Sequence, residues 1–335
     1  MEFSQRSNDE QVAALQSLAT KALHHWDVAQ SRLELIKYRE NAVFAVHSAD
    51  HARAVMRVHR PHYRTDDHIR CEVAWMRALN AAGIHTPQVL ATRNGDVVAV
   101  AGSAGVPEAR QCDLMLWVDG QPPGTLEGGV TDSEEAVRGL YRSVGALAAR
   151  MHEHGASWQK PTPFVRPSWN VETLVGDDPT FGRFWELELL TSEQRSTLLA
   201  AQERVRRRLS QLPAADTLIH GDLVPDNLLV DGSTVRVIDF DDCGWSWVSF
   251  EMVTSLFPLQ ISGGLDVGRE GYLEGYRSIR AFPDEQLEYF TDLMLARGLS
   301  YLGWPVGRPE IESVRSLTPF LAAMMTEAAT SYLAS

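Results

Sequence analysis

The chain contains little lysine and little cysteine. Its lysines are Lys21, Lys37 and Lys160, so arginine carries almost all of the positive charge. The three cysteines are far apart in the sequence and form no C-x-x-C pair. This spacing argues against a disulfide framework or a cysteine zinc site and favours buried thiols.

Long apolar runs and an excess of positive charge are missing as well. No window of about 18 apolar residues occurs, and the N-terminal stretch MEFSQRSNDE has no apolar signal core, so we expect a cytoplasmic protein that does not cross a membrane. The net charge of −13 disfavours nucleic acid and anionic lipid as partners and is compatible with a cationic substrate or a metal-bound nucleotide. No pattern in the sequence indicates an oligomeric state.

The first part of the 335-residue chain reads as a helix, a strand meander, a second helix and further strands. Thr65 offers an N-cap for the second helix, and the dipeptide Asn94–Gly95 predicts a tight hairpin between the last two strand-like segments. In order, we predict a helix over 9–27, strands over 33–38, 42–47 and 54–60, a helix over 66–81, and strands over 87–93 and 96–102.

The second part has mostly helical periodicity, and the change of character places the boundary near Gly120. We therefore predict a nucleotide-binding lobe over 1–119 and a catalytic, acceptor-binding lobe over 120–335. The segment KPTPFVRPSWN is a proline-rich connector within the second lobe. Helical patterns cover 131–154, 191–211, 266–280, 284–303 and 309–333.

The stretch LIHGDLVPDNLLVDGSTVRVIDFDD, residues 218–242, combines six aspartates with strand-forming aliphatic residues. Asp231–Gly232 lies between the apolar runs NLLV and VRVIDF, which predicts an antiparallel hairpin over 227–240. A turn there brings Asn227 within one or two residues of lying opposite Asp239. Asp222, in the loop that leads into the hairpin, arrives beside both.

Carboxylate and amide oxygens are the ligands that Mg²⁺ prefers, and Mg²⁺ commonly shares its coordination shell with substrate phosphates. A nearby carboxylate that does not bind the metal can accept a proton from an attacking hydroxyl. Asp226 and Asp231 are expected to be solvated turn residues. For Asp241 and Asp242, a place near the metal and a turn or cap role remain open.

The order His220–Gly221–Asp222, four residues, Asn227, and then Ile238–Asp239 resembles the motif of the aminoglycoside phosphotransferase and protein-kinase-like superfamily. The surrounding residues look most like the branch with the stress-response kinase and type II homoserine kinase. The resemblance implies an α+β, bilobal protein-kinase-like fold, with a β-rich N-lobe of one antiparallel sheet plus one helix and a mainly helical C-lobe.

The same resemblance implies an ATP- and Mg²⁺-dependent phosphotransferase that moves the γ-phosphoryl group to a hydroxyl. Asp222 would be the catalytic base, Asn227 and Asp239 the magnesium ligands, and His220 a support of the loop. Glu251 stands where relatives usually carry aspartate, a change expected to affect loop support.

A basic residue and a glutamate in the first lobe are candidates for nucleotide binding. Glu72 lies within the apolar arc of the 66–81 helix, so it needs a charged partner. Arg57, on the strand AVMRVHRP, is the natural counter-ion and occupies the position that resembles the family's lysine. Arginine retains the charge but presents a planar fork, so a shifted nucleotide pose or weak activity is a further expectation.

Two further nucleotide contacts follow from the resemblance alone. The hinge DLMLWVDG would offer adenine the backbone of Leu116 and Val118. The loop YRENAVF has no glycine in the place where protein kinases carry a glycine-rich phosphate cover. Its Glu40 and Asn41 are candidates either for hydrogen bonds to phosphates or for a simple turn, and the turn is favoured.

The acceptor remains open at this level. A small molecule of aminoglycoside, homoserine or other amino-alcohol or sugar type is the main expectation, and the negative net charge favours a cationic one. The alternatives are a protein serine/threonine kinase of the stress-response type and a catalytically weak, pseudokinase-like nucleotide-binding module, the latter motivated by Arg57.

Overall fold

The computed structural model describes residues 3–28, 31–48, 53–130, 133–232, 234–308 and 311–335. Its strands are β1 Arg32–Tyr38, β2 Ala42–His47, β3 Ala54–Val58, β4 Ala99–Ala101, β5 Arg110–Leu116, β6 Thr217–Ile219, β7 Leu228–Asp231, β8 Thr234–Val237 and β9 Gly244–Ser246. Its α-helices are α1 Asn8–Ala22, α2 Asp66–Ala81, α3 Glu134–Ser157, α4 Val171–Val175, α5 Ser192–Leu209, α6 Val248–Leu256, α7 Leu259–Ser262, α8 Leu265–Arg277, α9 Phe290–Gly303 and α10 Glu312–Ala334.

The first lobe is an antiparallel sheet of five strands in the order β1-β2-β3-β5-β4. Helix α1 packs against the sheet through an apolar cluster that includes Leu18, Phe44 and Met56. Helix α2 begins at the predicted cap, since the Thr65 hydroxyl accepts a hydrogen bond from the backbone N–H of His68. Its apolar side joins the core of the second lobe, which places the fully buried Glu72 between the two lobes.

The second lobe is mainly helical, and helices α3 and α8 pack so closely that a side chain at Gly145 would lie 2.0 Å from the Tyr272 carbonyl oxygen. Two short ribbons, β6 with β9 and β7 with β8, lie in this lobe. The bilobal protein-kinase-like fold predicted from the sequence is confirmed. Of the helices that the structure describes, none is both long and apolar enough to cross a bilayer.

Two local predictions about these elements are wrong. The segments that flank Asn94–Gly95 do not pair along their length, because β4 pairs with β5 and Val89 forms an isolated bridge to Met115. The dipeptide makes only a tight turn, in which the N–H of Gly95 donates to the Thr92 carbonyl. The helical pattern over 284–303 contains a 3-10 helix, Asp284–Tyr289, before α9 begins.

Candidate active site

A cleft between the lobes is lined mainly by three separate parts of the chain, with Leu126 and Phe181 beside them. The β1–β2 segment contributes residues 37–43, the segment around the β7–β8 hairpin contributes residues 222–242, and α9 with the turn after it contributes Arg297, Tyr301 and Trp304. Five aspartates face this cleft: Asp222, Asp226, Asp239, Asp241 and Asp242. The cleft therefore gathers most of the acids of the 218–242 stretch.

The hairpin brings Asn227 and Asp239 together as predicted. Strands β7 and β8 pair Leu228 with Val237, and the N–H of Ile238 donates to the Asn227 carbonyl over 2.9 Å. Asp239 follows in the left-handed region at φ 63°, which aspartate tolerates better than most residues. The hairpin ends at this backbone bend.

Asp222 lies beside Asn227, as the sequence predicted. The side-chain amide of Asn227 donates to the Asp222 carboxylate over 2.7 Å and to the Asp222 carbonyl over 2.9 Å. Gly221, the residue before Asp222, has a φ of 81°, and a Cβ there would lie 2.4 Å from the Asp242 carbonyl oxygen. Only glycine suits this close approach of the two loop segments.

The loop that carries Asp222 is held by two buried side chains, those of Glu251 and His220. One carboxylate oxygen of Glu251, on α6, accepts the backbone N–H of His220 over 2.5 Å, and the other accepts that of Gly221 over 3.1 Å. The Nδ1 atom of His220 accepts the N–H of Asp222, so the Nε2 atom donates to the Ile238 carbonyl. Both residues support the loop, as expected.

Burial raises the pKa of two carboxylates of the cleft, those of Asp239 and Asp222. Burial, reinforced by Asp241 and Asp222, raises the pKa of Asp239 to about 7 against the opposing pull of Arg57. The side chain of Asp239 is 47% exposed. Burial also raises the pKa of Asp222, although Arg297 acts in the opposite direction.

Arg57 and Glu72 form the predicted buried pair, at 2.8 Å. The guanidinium has a second carboxylate partner in Asp113 on β5, whose Oδ2 lies 2.5 Å from Nη2, and His59 contacts the same oxygen at 3.1 Å. Arg57 and His59 hold the pKa of the buried Asp113 well below its usual range, against the opposing effect of burial. One free edge remains, because Nη1 of Arg57 has no hydrogen-bond partner and lies 3.7 Å from Asp239.

The structure does not bring the two hinge residues into the cleft lining. Leu116 ends β5, and its N–H donates to the Gln88 carbonyl over 2.9 Å. The amide of Leu116 is therefore already paired within the first lobe. Val118 follows in the irregular segment after β5.

The β1–β2 loop is not a simple turn. The Glu40 carboxylate accepts hydrogen bonds from Arg308 and from the Trp304 indole of the second lobe. The side-chain amide of Asn41 donates to Asp241 over 3.1 Å. Glu40 and Asn41 do lie in the bend between β1 and β2, as expected, and their side chains in addition join the lobes.

Asp226 is likewise more than a solvated turn residue. Its carboxylate binds Lys37 of β1 at 3.0 Å and accepts the backbone N–H of Leu126 over 2.5 Å. Asp231 does fit the turn role, since its exposed carboxylate only meets Arg236 at 3.3 Å.

The open roles of Asp241 and Asp242 are decided by their partners. Asp242 accepts hydrogen bonds from the Tyr63 hydroxyl and the Arg64 guanidinium, both over 2.7 Å. Arg64 also donates to the Asp241 carbonyl over 2.9 Å. Both aspartates line the cleft while tying it to the first lobe.

Two residues of this site escaped prediction from the sequence. Arg297 of α9 is 2% exposed and donates to Asp222 over 2.7 Å and to the Tyr301 hydroxyl over 2.8 Å. A lone arginine in the apolar run DLMLARGLSYL was the available signal, as was the lone aspartate in the strand CDLMLW for Asp113. Buried charges in apolar elements require partners, but the sequence does not say which.

Comparisons with known proteins show which solved structures share this fold. The structure of a microcompartment-associated aminopropanol kinase superposes with a TM-score of 0.81 at 29% identity, over 94% of this chain and 97% of that one. Amicoumacin kinase hAmiN, solved with AMP-PNP, Ca²⁺ and Ami, superposes with a TM-score of 0.72 at 17% identity, over 92% and 91%. Both share the fold.

A relative of known activity is similar in sequence. Amicoumacin kinase of Bacillus subtilis (strain 168) is 23% identical over 245 residues, which are 72% of this chain and 65% of that protein. Residues 34–283 match the phosphotransferase enzyme family APH. This range covers most of the first lobe and the larger part of the second, and the candidate residues described above lie within it except those of α9 and the segment after it. The chain therefore belongs to the phosphotransferase enzyme family.

Proposed function

We propose that this phosphotransferase uses ATP and Mg²⁺ to move the γ-phosphoryl group to a hydroxyl of a small molecule. The observation that carries the proposal is the convergence of Asp222, Asn227 and Asp239 on one cleft between the lobes. A base and two oxygen ligands on one side of a nucleotide cleft are what phosphoryl transfer to an alcohol requires. The AMP-PNP and Ca²⁺ bound by hAmiN support a nucleotide and a divalent ion here.

Asp222 is the proposed catalytic base. Its two carboxylate oxygens accept hydrogen bonds from Asn227 and Arg297, so the direction of the carboxylate is set on both sides. A pKa raised by burial makes it a better proton acceptor than an exposed aspartate. It would take the proton of the acceptor hydroxyl as that oxygen attacks the phosphorus.

Asn227 and Asp239 are the proposed ligands of Mg²⁺. The amide nitrogen of Asn227 is occupied by Asp222, which leaves its oxygen for a metal, and the half-exposed Asp239 offers a carboxylate. Among the described residues no group of three or more His, Cys, Asp and Glu side chains has metal-binding geometry, so the site is not a full protein cage. These donors fit Mg²⁺, which when bound would neutralise negative charge on the phosphates.

The first lobe would bind the nucleotide. The free Nη1 edge of Arg57 points toward Asp239 and is suited to a phosphate oxygen, while Glu72 and Asp113 position the guanidinium. The Leu116 carbonyl and the Val118 amide would bind adenine. In this proposal, residues 1–119 are the nucleotide-binding lobe and residues 120–335 are the catalytic and acceptor-binding lobe.

The walls of the cleft favour a small cationic acceptor such as an amino alcohol. Aspartates outnumber basic residues in the lining, and Phe181, Tyr301 and Trp304 provide aromatic surface on the side of Asp222. An ammonium group is attracted both by carboxylates and by aromatic faces. The likeness to an aminopropanol kinase at 29% identity supports the same class.

A screen of ADP release tests the proposal. The acceptors would be amino alcohols, homoserine, aminoglycosides and simple sugar alcohols, with a serine/threonine peptide pool as the protein-kinase arm. We expect Mg²⁺-dependent ADP release with an amino alcohol and none above background with Asp222→Asn. Turnover confined to the peptide pool, or nucleotide binding without turnover by any acceptor, would replace the proposal by one of the two alternatives.

Replacing Asp239 by asparagine should raise the Mg²⁺ concentration needed for half-maximal activity by on the order of tenfold or more, because the metal loses its charged protein ligand. The measurement is a Mg²⁺ titration at saturating ATP. Asp231→Asn is the matched control, since it removes a carboxylate from the same hairpin at its solvent-exposed end. An unchanged Mg²⁺ requirement in the Asp239 variant would contradict the assignment of this ligand.

A further inference from the structure

The proline-rich connector between α3 and α4 carries a buried arginine that reaches both lobes. Arg166 has a fully buried side chain, and its guanidinium contacts four backbone carbonyls. Three of them belong to Phe240, Asp241 and Cys243, at 3.1, 2.5 and 2.6 Å. The fourth belongs to His68 on α2, at 2.8 Å.

The three carbonyls come from the four residues that directly follow Asp239. Their oxygens turn toward one buried point, the guanidinium of Arg166. The Asp241 carbonyl also accepts a hydrogen bond from Arg64 and the Phe240 carbonyl one from the N–H of Cys243, whereas the donor to the Cys243 carbonyl is Arg166. The backbone path after the proposed metal ligand is thus set by a side chain some 70 residues earlier in the chain. The left-handed conformation of Asp239 immediately precedes this anchored segment.

The same guanidinium links this segment to the nucleotide side of the cleft. Nη1, which donates to His68, also lies 3.8 Å from Glu72, the carboxylate that holds Arg57. Helix α2 and the segment after Asp239 are therefore joined through one planar group. Lysine has one compact ammonium and three donors, so it cannot reproduce four contacts spread around a guanidinium plane.

We propose that Arg166 is a positioning residue for the metal site. By anchoring the carbonyls of Phe240, Asp241 and Cys243, it orients the Asp239 carboxylate, and its contact with His68 fixes the position of this segment relative to α2. This inference rests on the proposed function, because it assigns Asp239 to the metal. Partners that orient metal ligands typically change metal affinity or activity by about 10–100-fold when mutated.

The test is Arg166→Lys, with Mn²⁺ as the probe. Binding of Mn²⁺ in the presence of a non-hydrolysable ATP analogue is measured by the loss of the free-ion electron paramagnetic resonance signal, and hydrogen exchange of the 239–243 amides is measured without metal. We expect Mn²⁺ affinity to fall by about 10–100-fold and these amides to exchange faster. Affinity for the nucleotide without metal should stay within about twofold of the parent protein, since Arg166 reaches the nucleotide site only through Glu72.

Arg204→Lys is the matched control for a purely structural role. Arg204 on α5 also donates to backbone carbonyls, those of Tyr332 and Leu333, but lies in a part of the second lobe remote from the cleft. A folded Arg166→Lys protein with parental Mn²⁺ affinity, or with a loss no larger than that of Arg204→Lys, overturns the proposal. If the lysine variant does not fold, Arg166→Ala supplemented with millimolar guanidinium replaces it, and failure of guanidinium to restore Mn²⁺ affinity overturns the proposal.

The outcomes separate this inference from the proposed function. Parental Mn²⁺ affinity in Arg166→Lys together with lost affinity in Asp239→Asn removes only the role of Arg166. Parental affinity in Asp239→Asn removes the metal assignment itself, and the positioning role with it.

Discussion

Replacing Asp222 by asparagine is expected to lower kcat by about 10²–10⁴-fold, the usual contribution of a positioned general base. Asparagine keeps the size of the side chain, but its single oxygen can accept from only one of the two donors Asn227 and Arg297, and it cannot accept the proton of the acceptor hydroxyl. Affinity for the metal–nucleotide complex should change far less, because Asp222 is proposed to act on the acceptor side. Steady-state kinetics of ADP release, with nucleotide binding measured separately, checks this split between kcat and binding.

Asp226→Asn is a useful control for the Asp222 variant. It lies four residues further along the same loop, and its carboxylate binds Lys37 and the Leu126 amide, not the proposed reacting groups. We expect a modest loss of activity from a loosened loop. Comparable losses in the two variants, or parental turnover in Asp222→Asn, would show that Asp222 is not the base.

Replacing Arg57 by methionine should lower the free energy of unfolding by about 3–5 kcal/mol, the range for removing one partner of a buried ion pair. The guanidinium is 4% exposed and neutralises two fully buried carboxylates, Asp113 and Glu72. The pKa of Asp113 is held low in the folded protein, so its ion pairs contribute stability above the unfolded pKa and lose it as the pH falls through the folded pKa. The stability gap between the two proteins should therefore narrow below a pH of about 4. Urea denaturation at several pH values measures it.

A double variant tests whether the loss of stability in Arg57→Met comes from the Asp113 carboxylate, which that variant leaves without its counter-ion. Arg57→Met combined with Asp113→Leu removes both charges, while Glu72 keeps Arg166 at 3.8 Å. Much of the stability lost in the single variant should return, because an apolar pair can replace a buried ion pair at little cost. Arg207→Met, which breaks an exposed helical pair with Glu203, is the matched surface control and should change stability little. A single variant as stable as the parent protein would contradict this account of the site.

The parts of this molecule that the sequence predicted well are those determined by neighbouring residues. Helix α2 has the predicted bounds because Thr65 caps it and its apolar arc is continuous. The β7–β8 hairpin has the predicted register because the turn at Asp231–Gly232 and the alternation of apolar residues agree. Asp222, Asn227 and Asp239 meet as a direct result.

The parts that escaped prediction depend on partners far away in the chain. Arg297 meets Asp222 across 75 residues, and Arg57 meets Asp113 across 56. The turn at Asn94–Gly95 forms without a hairpin because β4 pairs with β5 and not with the segment before the turn. Local patterns register that a buried charge needs a counter-ion, but the choice among distant candidates is made by packing of the whole fold.

The contact of Glu40 with Arg308 spans 268 residues, and it closes a cleft whose walls come from the start, the middle and the last third of the chain. The residues that line the cleft run from Lys37 to Trp304, so a piece of the chain must include this whole range to contain the cleft. A fragment cut before α9 keeps the proposed base and both proposed metal ligands but lacks Arg297, Tyr301 and Trp304, while one cut after the first lobe keeps only the proposed nucleotide-binding side. Truncation to a minimal catalytic module will therefore remove part of the cleft. The specificity of the protein is better redesigned by substitution within the intact chain.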